Sequence, residues 1–132
     1  MEKLQIETHK KQEVVDVTDL VAEAVKTPAR QKGLIHLFLL HTTAALTIAD
    51  LDPGTDQDLL DALREMIPKL PCRHPHDPKH VPDHILSSLV GTSLTVPMAS
   101  GKPLLGDWQR IVLLEFDGPR QRQLAVSVMS ED

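Results

Sequence analysis

A cluster of histidines is the feature of this sequence with the clearest chemical potential. Four of the seven histidines, His74, His76, His80 and His84, fall within eleven positions and are separated by prolines, aspartates and a lysine. No hydrophobic period runs through this stretch, so its pattern is not that of a core element. Imidazole is the commonest metal ligand in proteins. We therefore predict a loop that delivers ligands to a metal ion, joined by His41 from an earlier part of the chain.

The positions of these histidines indicate which of them bind. A catalytic zinc ion takes three protein ligands and keeps a fourth position for water or substrate. His41 closes an apolar run that predicts a buried strand, although a hydrogen-bonded core histidine is the alternative there. His84 lies in the first turn of a predicted helix, where the helix dipole disfavours an imidazolium. The third ligand would come from the loop, and we interpret His80, beside Lys79, as a solvated histidine. The predicted cofactor is a divalent cation, zinc in particular.

Acidic residues offer a second kind of cation site. Asp50, Asp52, Asp56 and Asp58 lie close together along the chain. Carboxylate oxygens suit Mg²⁺, which makes magnesium a second candidate cofactor, but the spacing is not that of a calcium loop. The alternative is a turn followed by the first turn of a helix, where acids are favoured by the dipole.

Two arginines suggest the chemistry of the ligand. Arg120 and Arg122 follow the turn at Asp117 and Gly118, with Glu115 upstream. Guanidinium groups form paired hydrogen bonds to phosphate oxygens, although surface ion pairs with nearby acids are the alternative. A small phosphorylated molecule is therefore the predicted binding partner.

Composition excludes several classes of protein. The chain has 132 residues, 41% hydrophobic and 25% charged, which predicts one globular domain over 1–132. A formal charge of −5 argues against nucleic-acid binding, which depends on neutralising phosphates. The single cysteine cannot form an intrachain disulfide. No apolar run approaches the length of a membrane span, and the first residues lack a signal core, so we expect a cytoplasmic protein.

The elements that position these residues follow from periodicity and from turn residues. Strands and helices do not alternate regularly, which predicts an α+β fold with mostly antiparallel pairing. The predicted elements are an opening β-hairpin over 4–17, a helix over 19–31, a strand over 33–41 buried on both faces, a strand over 44–48, a helix ending at 68, a loop over 68–81, a helix over 82–91, and strands over 93–98, 104–116 and 124–128.

Several motifs taken together resemble the YjbQ family, whose members are often described as secondary thiamine-phosphate synthases. The segments 41–48 (HTTAALTI) and 101–111 (GKPLLGDWQRI) carry the resemblance most clearly. The order of the other motifs agrees with it: Asp52-Pro53, an acidic helix, a histidine-containing loop, 84–88 (HILSS), 91–93 (GTS) and 115–122 (EFDGPRQR). The combined order is specific and covers nearly the whole chain.

The resemblance implies a small, mostly antiparallel β-sandwich with flanking helices that assembles as a homotrimer, with sites near subunit contacts. It also implies a metal held by three histidines. His41 and His84 match two of them. The third follows an aromatic-x-His pattern whose aromatic is absent here, so His74 and His76 both remain candidates.

The implied reaction joins hydroxymethylpyrimidine diphosphate to thiazole phosphate with release of pyrophosphate. A trimeric metal-binding module, or a metal-dependent hydrolase of a small phosphorylated compound, is the alternative. The candidate catalytic residues are Asp52 and Glu115. The candidate substrate-binding residues are Thr42, Thr43, Trp108, Gln109, Arg120 and Arg122.

Overall fold

The fold is taken from a computed structural model of the chain, which describes residues 1–69, 71, 73 and 78–132. His74 and His76, two of the predicted metal ligands, lie outside the described residues. The elements in chain order are β1 (Glu2–Glu7), β2 (Glu13–Asp16), α1 (Thr18–Val25), β3 (Gly33–Leu39), β4 (Ala44–Ala49), α2 (Thr55–Glu65), a short 3-10 turn (Pro78–His80), α3 (Val81–Val90), β5 (Ser93–Ala99), β6 (Lys102–Pro103), β7 (Arg110–Glu115) and β8 (Gln121–Ser130).

The strands form two antiparallel sheets, which confirms the predicted α+β class and its pairing. The larger sheet has the order β1-β8-β3-β5-β6, and the smaller one has the order β2-β7-β4. A core between them combines apolar side chains of both sheets, such as Leu37, Leu46 and Leu113, with Val21 and Val25 of α1. The two sheets therefore bury one face each against the other, and α1 packs at their margin.

The helices α2 and α3 cover the other face of the smaller sheet. Leu60 of α2 and Leu86 of α3 form a second apolar cluster with Val112 and Leu114 of β7. This follows from the sequence of β7, which is apolar at successive positions and is buried on both faces. The fold is thus layered as large sheet, small sheet and helices.

Helix α3 is held in place by polar contacts to β4 as well as by packing. Ser87 Oγ donates a hydrogen bond of 2.7 Å to the carbonyl of Ala44, and the amide of Leu46 donates one of 3.0 Å to the carbonyl of Gly91. Buried hydroxyl contacts of this kind fix the position of one element against another. The start of α3, which carries His84, is thereby placed beside the segment that connects β3 to β4.

Two predictions about the first half of the chain are wrong. The opening strands do not form a hairpin, because β1 pairs with β8 while β2 pairs with β7 in the other sheet. Strand β3 is not buried on both faces. Its residues alternate strictly, and Phe38 is 42% exposed while its neighbour Leu37 is fully buried. Among the described residues, the outer face of the larger sheet therefore exposes Leu34 and Phe38, with His36 between them.

Two predicted boundaries also change. Helix α1 ends at Val25 rather than near 31, since Lys26 is extended and Pro28 disfavours helix in the residue before it. The predicted strand over 104–116 begins only at Arg110, because Gly106 and Gln109 form a local turn closed by two hydrogen bonds of 2.8 and 3.1 Å. Among the described residues, none of the helices has the length and apolar composition that crossing a membrane requires.

Candidate functional site

His41 lies just after β3, where the chain leaves the larger sheet. Its Nε2 accepts a 2.8 Å hydrogen bond from the backbone N–H of Gln123 in β8. Partial burial lowers the pKa of the imidazole, and the nearby Arg122 guanidinium lowers it further. His41 is therefore neutral at neutral pH, which is the form that a metal ligand requires.

His84 reaches the same place from the first turn of α3. Its Nδ1 lies 3.0 Å from the carbonyl oxygen of Thr42. Because a carbonyl only accepts, Nδ1 carries the proton, and a neutral ring then has its lone pair on Nε2. The carbonyl of Thr42, the residue after His41, thus orients the second imidazole, and metal-binding histidines are commonly oriented by a carbonyl in this way.

Both histidines line one open cavity of about 650 Å³. It lies between the end of β3, the start of α3 and the turn that precedes β8. Arg120 and Arg122 line it as well, with Thr42 and Thr43 on the β3 side. The structure thus brings together two of the predicted metal ligands and four of the predicted substrate-binding residues.

A buried ion pair supports this cavity. Arg122 and Glu115 are 2% and 0% exposed in their side chains, and Arg122 Nε donates to Glu115 Oε1 at 2.9 Å. Arg122 Nη2 also donates to the hydroxyl of Thr43 at 2.9 Å, and the Thr8 hydroxyl donates to Glu115 at 2.6 Å. Burial raises the pKa of Glu115, but the hydrogen bonds from Arg122 and Thr8 outweigh it and the net pKa is lowered.

Glu115 is therefore held as a carboxylate by structural partners, and it is not among the residues that line the cavity. A proton-transfer role for Glu115 stays a prediction. The arrangement gives it a clear architectural role, because it neutralises a buried guanidinium next to His41.

The turn before β8 carries a second, more exposed set of charges. Asp117 accepts hydrogen bonds from Lys11 Nζ at 2.5 Å and from Arg120 Nη2 at 2.9 Å. Burial raises the pKa of Asp117, but the hydrogen bonds from Lys11 and Arg120 outweigh it and bring the pKa to about 2. Asp117 is therefore ionised at neutral pH, and it fixes one edge of the Arg120 guanidinium.

His80 is a residue of this site that the sequence analysis interpreted differently. It lines the cavity with His41 and His84 rather than standing in a solvated loop. Its Nδ1 lies 3.4 Å from Asp117 and 3.6 Å from Asp83. The local sequence gave one signal for this contact, because Asp83 follows His80 by three residues at the start of a helix. Asp117 is distant in sequence, and only the fold brings it near His80.

Three other predicted residues are not brought to this cavity. Asp52 is exposed in the turn before α2, where its carbonyl accepts the amide of Thr55 at 2.9 Å. Trp108 is 71% exposed. Gln109 lines a different cavity of about 640 Å³ beside α1. Roles for these residues in catalysis or substrate binding stay predictions.

The fold and the site together define a class: an α+β protein of two packed antiparallel sheets, with histidines and arginines sharing one cavity. Comparison with known proteins agrees. Residues 2–131 match the family described as UPF0047 protein YjbQ-like. The UPF0047 protein MJ1081 of Methanocaldococcus jannaschii is 39% identical over 130 residues, which cover 98% of this chain and 94% of that protein.

Solved structures show the same likeness. The YbjQ-like protein of Sulfolobus solfataricus superposes with a TM-score of 0.90 at 29% identity, covering 98% of this chain and 96% of that one. A conserved YjbQ/UPF0047 protein of Clostridium acetobutylicum gives 0.87 at 34% identity, covering 98% and 100%. The chain belongs to the YjbQ (UPF0047) family, which confirms the resemblance seen in its motifs.

The buried ion pair generates a prediction about stability. Arg122→Met leaves the Glu115 charge buried without its partner, and we expect it to lower the free energy of unfolding by about 3–5 kcal/mol. The double variant Glu115→Gln/Arg122→Met removes that charge and should be more stable than the single variant. Urea unfolding measures both. A loss of less than about 1 kcal/mol in Arg122→Met would contradict the structural role of the pair.

Proposed function

We propose that this chain is a metal-dependent enzyme that acts on a small phosphorylated compound, with a secondary thiamine-phosphate synthase-like transfer as its reaction. The observation that carries this proposal is the shared cavity, which is lined by two imidazoles, His41 and His84, and by Arg120 and Arg122. Side chains that can bind a metal ion thus lie beside side chains that can bind phosphate, and a reaction that releases pyrophosphate would use both.

The donor set fits a divalent cation, with one adjustment. His84 already has the tautomer that places a lone pair on Nε2. His41 Nε2 has a single lone pair, and the Gln123 amide occupies it. Coordination through that atom would therefore replace this hydrogen bond. The third ligand is His74 or His76, as the sequence left it. Imidazole ligands favour zinc over magnesium, which prefers oxygen.

The two arginines of the cavity differ in burial, and we assign them different roles. Arg122 is buried and already hydrogen-bonded to Glu115 and Thr43, so it shapes the wall of the cavity while Glu115 balances its charge. Arg120 is about half exposed, and Asp117 holds only one edge of its guanidinium. Arg120 is therefore the guanidinium whose other edge can donate to a phosphate.

These contacts suggest roles in the transfer. Arg120 would bind the diphosphate of the pyrimidine substrate, and Thr42, exposed at the cavity, would orient it through its hydroxyl. A divalent cation bound at the histidines would neutralise charge that develops on the departing pyrophosphate. The thiazole nitrogen then forms the new bond to the carbon that the pyrophosphate leaves.

A homotrimer is part of the proposal, and the larger sheet supplies its support. Leu34, Phe38 and Met129 are 39%, 42% and 68% exposed on the outer face of that sheet. Apolar residues grouped on one face mark association surfaces. The face continues through Leu40 into the histidine cavity, so an assembly formed there would bring subunit contacts close to the site.

The oligomer is tested by light scattering coupled to gel filtration. We expect a trimer mass for the unaltered chain and a smaller mass for the double variant Phe38→Ser/Met129→Ser, because polar side chains weaken an apolar contact. Met66→Ser changes an equally exposed methionine at the end of α2 and should leave the mass unchanged. A monomer mass for the unaltered chain at micromolar concentration would rule out the trimer.

The metal site is tested on protein prepared without a polyhistidine tag. We expect about one zinc ion per chain, and His41→Ala or His84→Ala should each lower that content while circular dichroism stays unchanged. His9→Ala, which alters an exposed histidine outside the cavity, is the matched control. Zinc added to chelator-treated protein should also shift the Gln123 amide resonance, because its hydrogen bond to His41 is lost. Full zinc content in either cavity variant would remove that histidine from the ligand set.

The reaction is tested by incubating the metal-loaded protein with hydroxymethylpyrimidine diphosphate and thiazole phosphate. We expect thiamine phosphate above the level of a chelator-treated control. Arg120→Met should lower kcat/KM by about 10- to 100-fold, since it removes a charge-assisted hydrogen bond to phosphate. A metal-loaded protein that forms no product would refute the transfer reaction and favour the binding-module or hydrolase alternative.

A further inference from the structure

His80 occupies a part of the cavity that the proposed reaction has not yet used. Its Nδ1 is fully buried and lies within ion-pair distance of two carboxylates, at 3.4 Å from Asp117 Oδ2 and 3.6 Å from Asp83 Oδ2. The side chain as a whole is 33% exposed. The exposed part of the side chain therefore belongs to atoms other than Nδ1, and His80 is among the residues that line the cavity.

The two carboxylates determine how this ring carries its protons. They are almost fully buried, with side chains 3% and 9% exposed, and neither offers a proton to Nδ1 while it is ionised. Nδ1 therefore keeps its own proton, whether the ring is neutral or charged. The nitrogen that exchanges protons is Nε2. The same logic assigns roles to the two nitrogens of a histidine held by a buried carboxylate in hydrolases.

The charges around this group favour an anion over a cation. His80, Asp83 and Asp117 place three ligand-type atoms within 4.8 Å of one another, as a metal would require. Each carboxylate, however, already pairs with cations: Asp83 with Arg64 at 2.7 Å, and Asp117 with Lys11 and Arg120. Three fixed positive charges thus face two negative ones, and a protonated imidazole adds to the excess.

We propose that His80 binds a phosphate oxygen of the ligand through Nε2 and donates a proton to it, while Asp83 and Asp117 position the ring through Nδ1. His80 then works beside Arg120, whose guanidinium shares Asp117 with it. The proposal rests on the proposed function in one respect, since it takes a phosphorylated compound as the ligand of this cavity. It adds a residue that neither the motifs nor the family description assigns.

In the proposed transfer, His80 supplies the proton that the leaving pyrophosphate takes up. When the carbon–oxygen bond of the diphosphate ester breaks, the oxygen keeps the electron pair and takes the proton from Nε2. The imidazolium becomes a neutral imidazole with its remaining proton on Nδ1, facing the carboxylates. The thiazole nitrogen supplies the electron pair of the new carbon–nitrogen bond and becomes positively charged. Nε2 regains a proton from solvent after pyrophosphate leaves.

The test uses inorganic pyrophosphate and chelator-treated full-length protein, so that it depends on neither turnover nor metal. Calorimetry near pH 8, where an ordinary imidazole is neutral, is run in two buffers of different ionisation heat to count protons. We expect the unaltered protein to bind pyrophosphate with proton uptake. His80→Asn can replace the Nδ1–H contact but has no Nε2, and it should bind at least about tenfold more weakly without that uptake.

Two further variants separate the parts of the proposal. His80→Gln extends an amide donor toward the position of Nε2, so it should recover part of the affinity but none of the proton uptake. His9→Asn should behave as the unaltered protein. Equal affinity or equal proton uptake in His80→Asn would overturn the proposal, and so would the absence of pyrophosphate binding by the unaltered protein. Failure of the synthase assay alone would refute the transfer reaction and leave His80-dependent pyrophosphate binding standing.

Discussion

The Glu115–Arg122 ion pair is the interaction on which the rest of this site depends. Glu115 ends β7 in the smaller sheet and Arg122 is the second residue of β8 in the larger one, so the pair joins the two sheets at the edge of the cavity. Thr8 and Thr43 complete its hydrogen bonds from the ends of two more segments. Burying two charges is costly unless both are fully partnered, and here the partners are distributed over four parts of the chain.

The same pair links stability to chemistry. Its guanidinium helps to keep His41 neutral, and its contact with Thr43 fixes the segment whose preceding carbonyl orients His84. The guanidinium that helps to hold the sheets together thus also lowers the pKa of the His41 imidazole. Removing the Arg122 guanidinium would change both the positions of the side chains around the cavity and the charge beside His41. A substitution at Arg122 is therefore expected to affect the stability of the fold and the site together.

The acidic side chains of the site form ion pairs with lysine and arginine side chains of the protein. Asp83 and Asp117 hold Arg64, Lys11 and Arg120, and they face the buried edge of His80. In this arrangement the carboxylates position donors of the protein itself, and guanidinium and imidazole groups line the cavity. Guanidinium groups form stronger hydrogen bonds with phosphate oxygens than with neutral polar groups.

The sequence by itself determined the fold class, the motifs that define the family, the helices α2 and α3, and the choice of His41, His84, Arg120 and Arg122 as candidate site residues. Each of these depends on local periodicity or on residue types whose chemistry is the same in any context. Only the tertiary structure decided that β1 and β2 enter different sheets, that Phe38 faces outward, and that His80 belongs to the cavity. Strand partners and long-range ion pairs join positions about a hundred residues apart or, for His80 and Asp117, in separate layers. Spacing along the chain carries no record of such distances, because they arise from the packing of one sheet against the other.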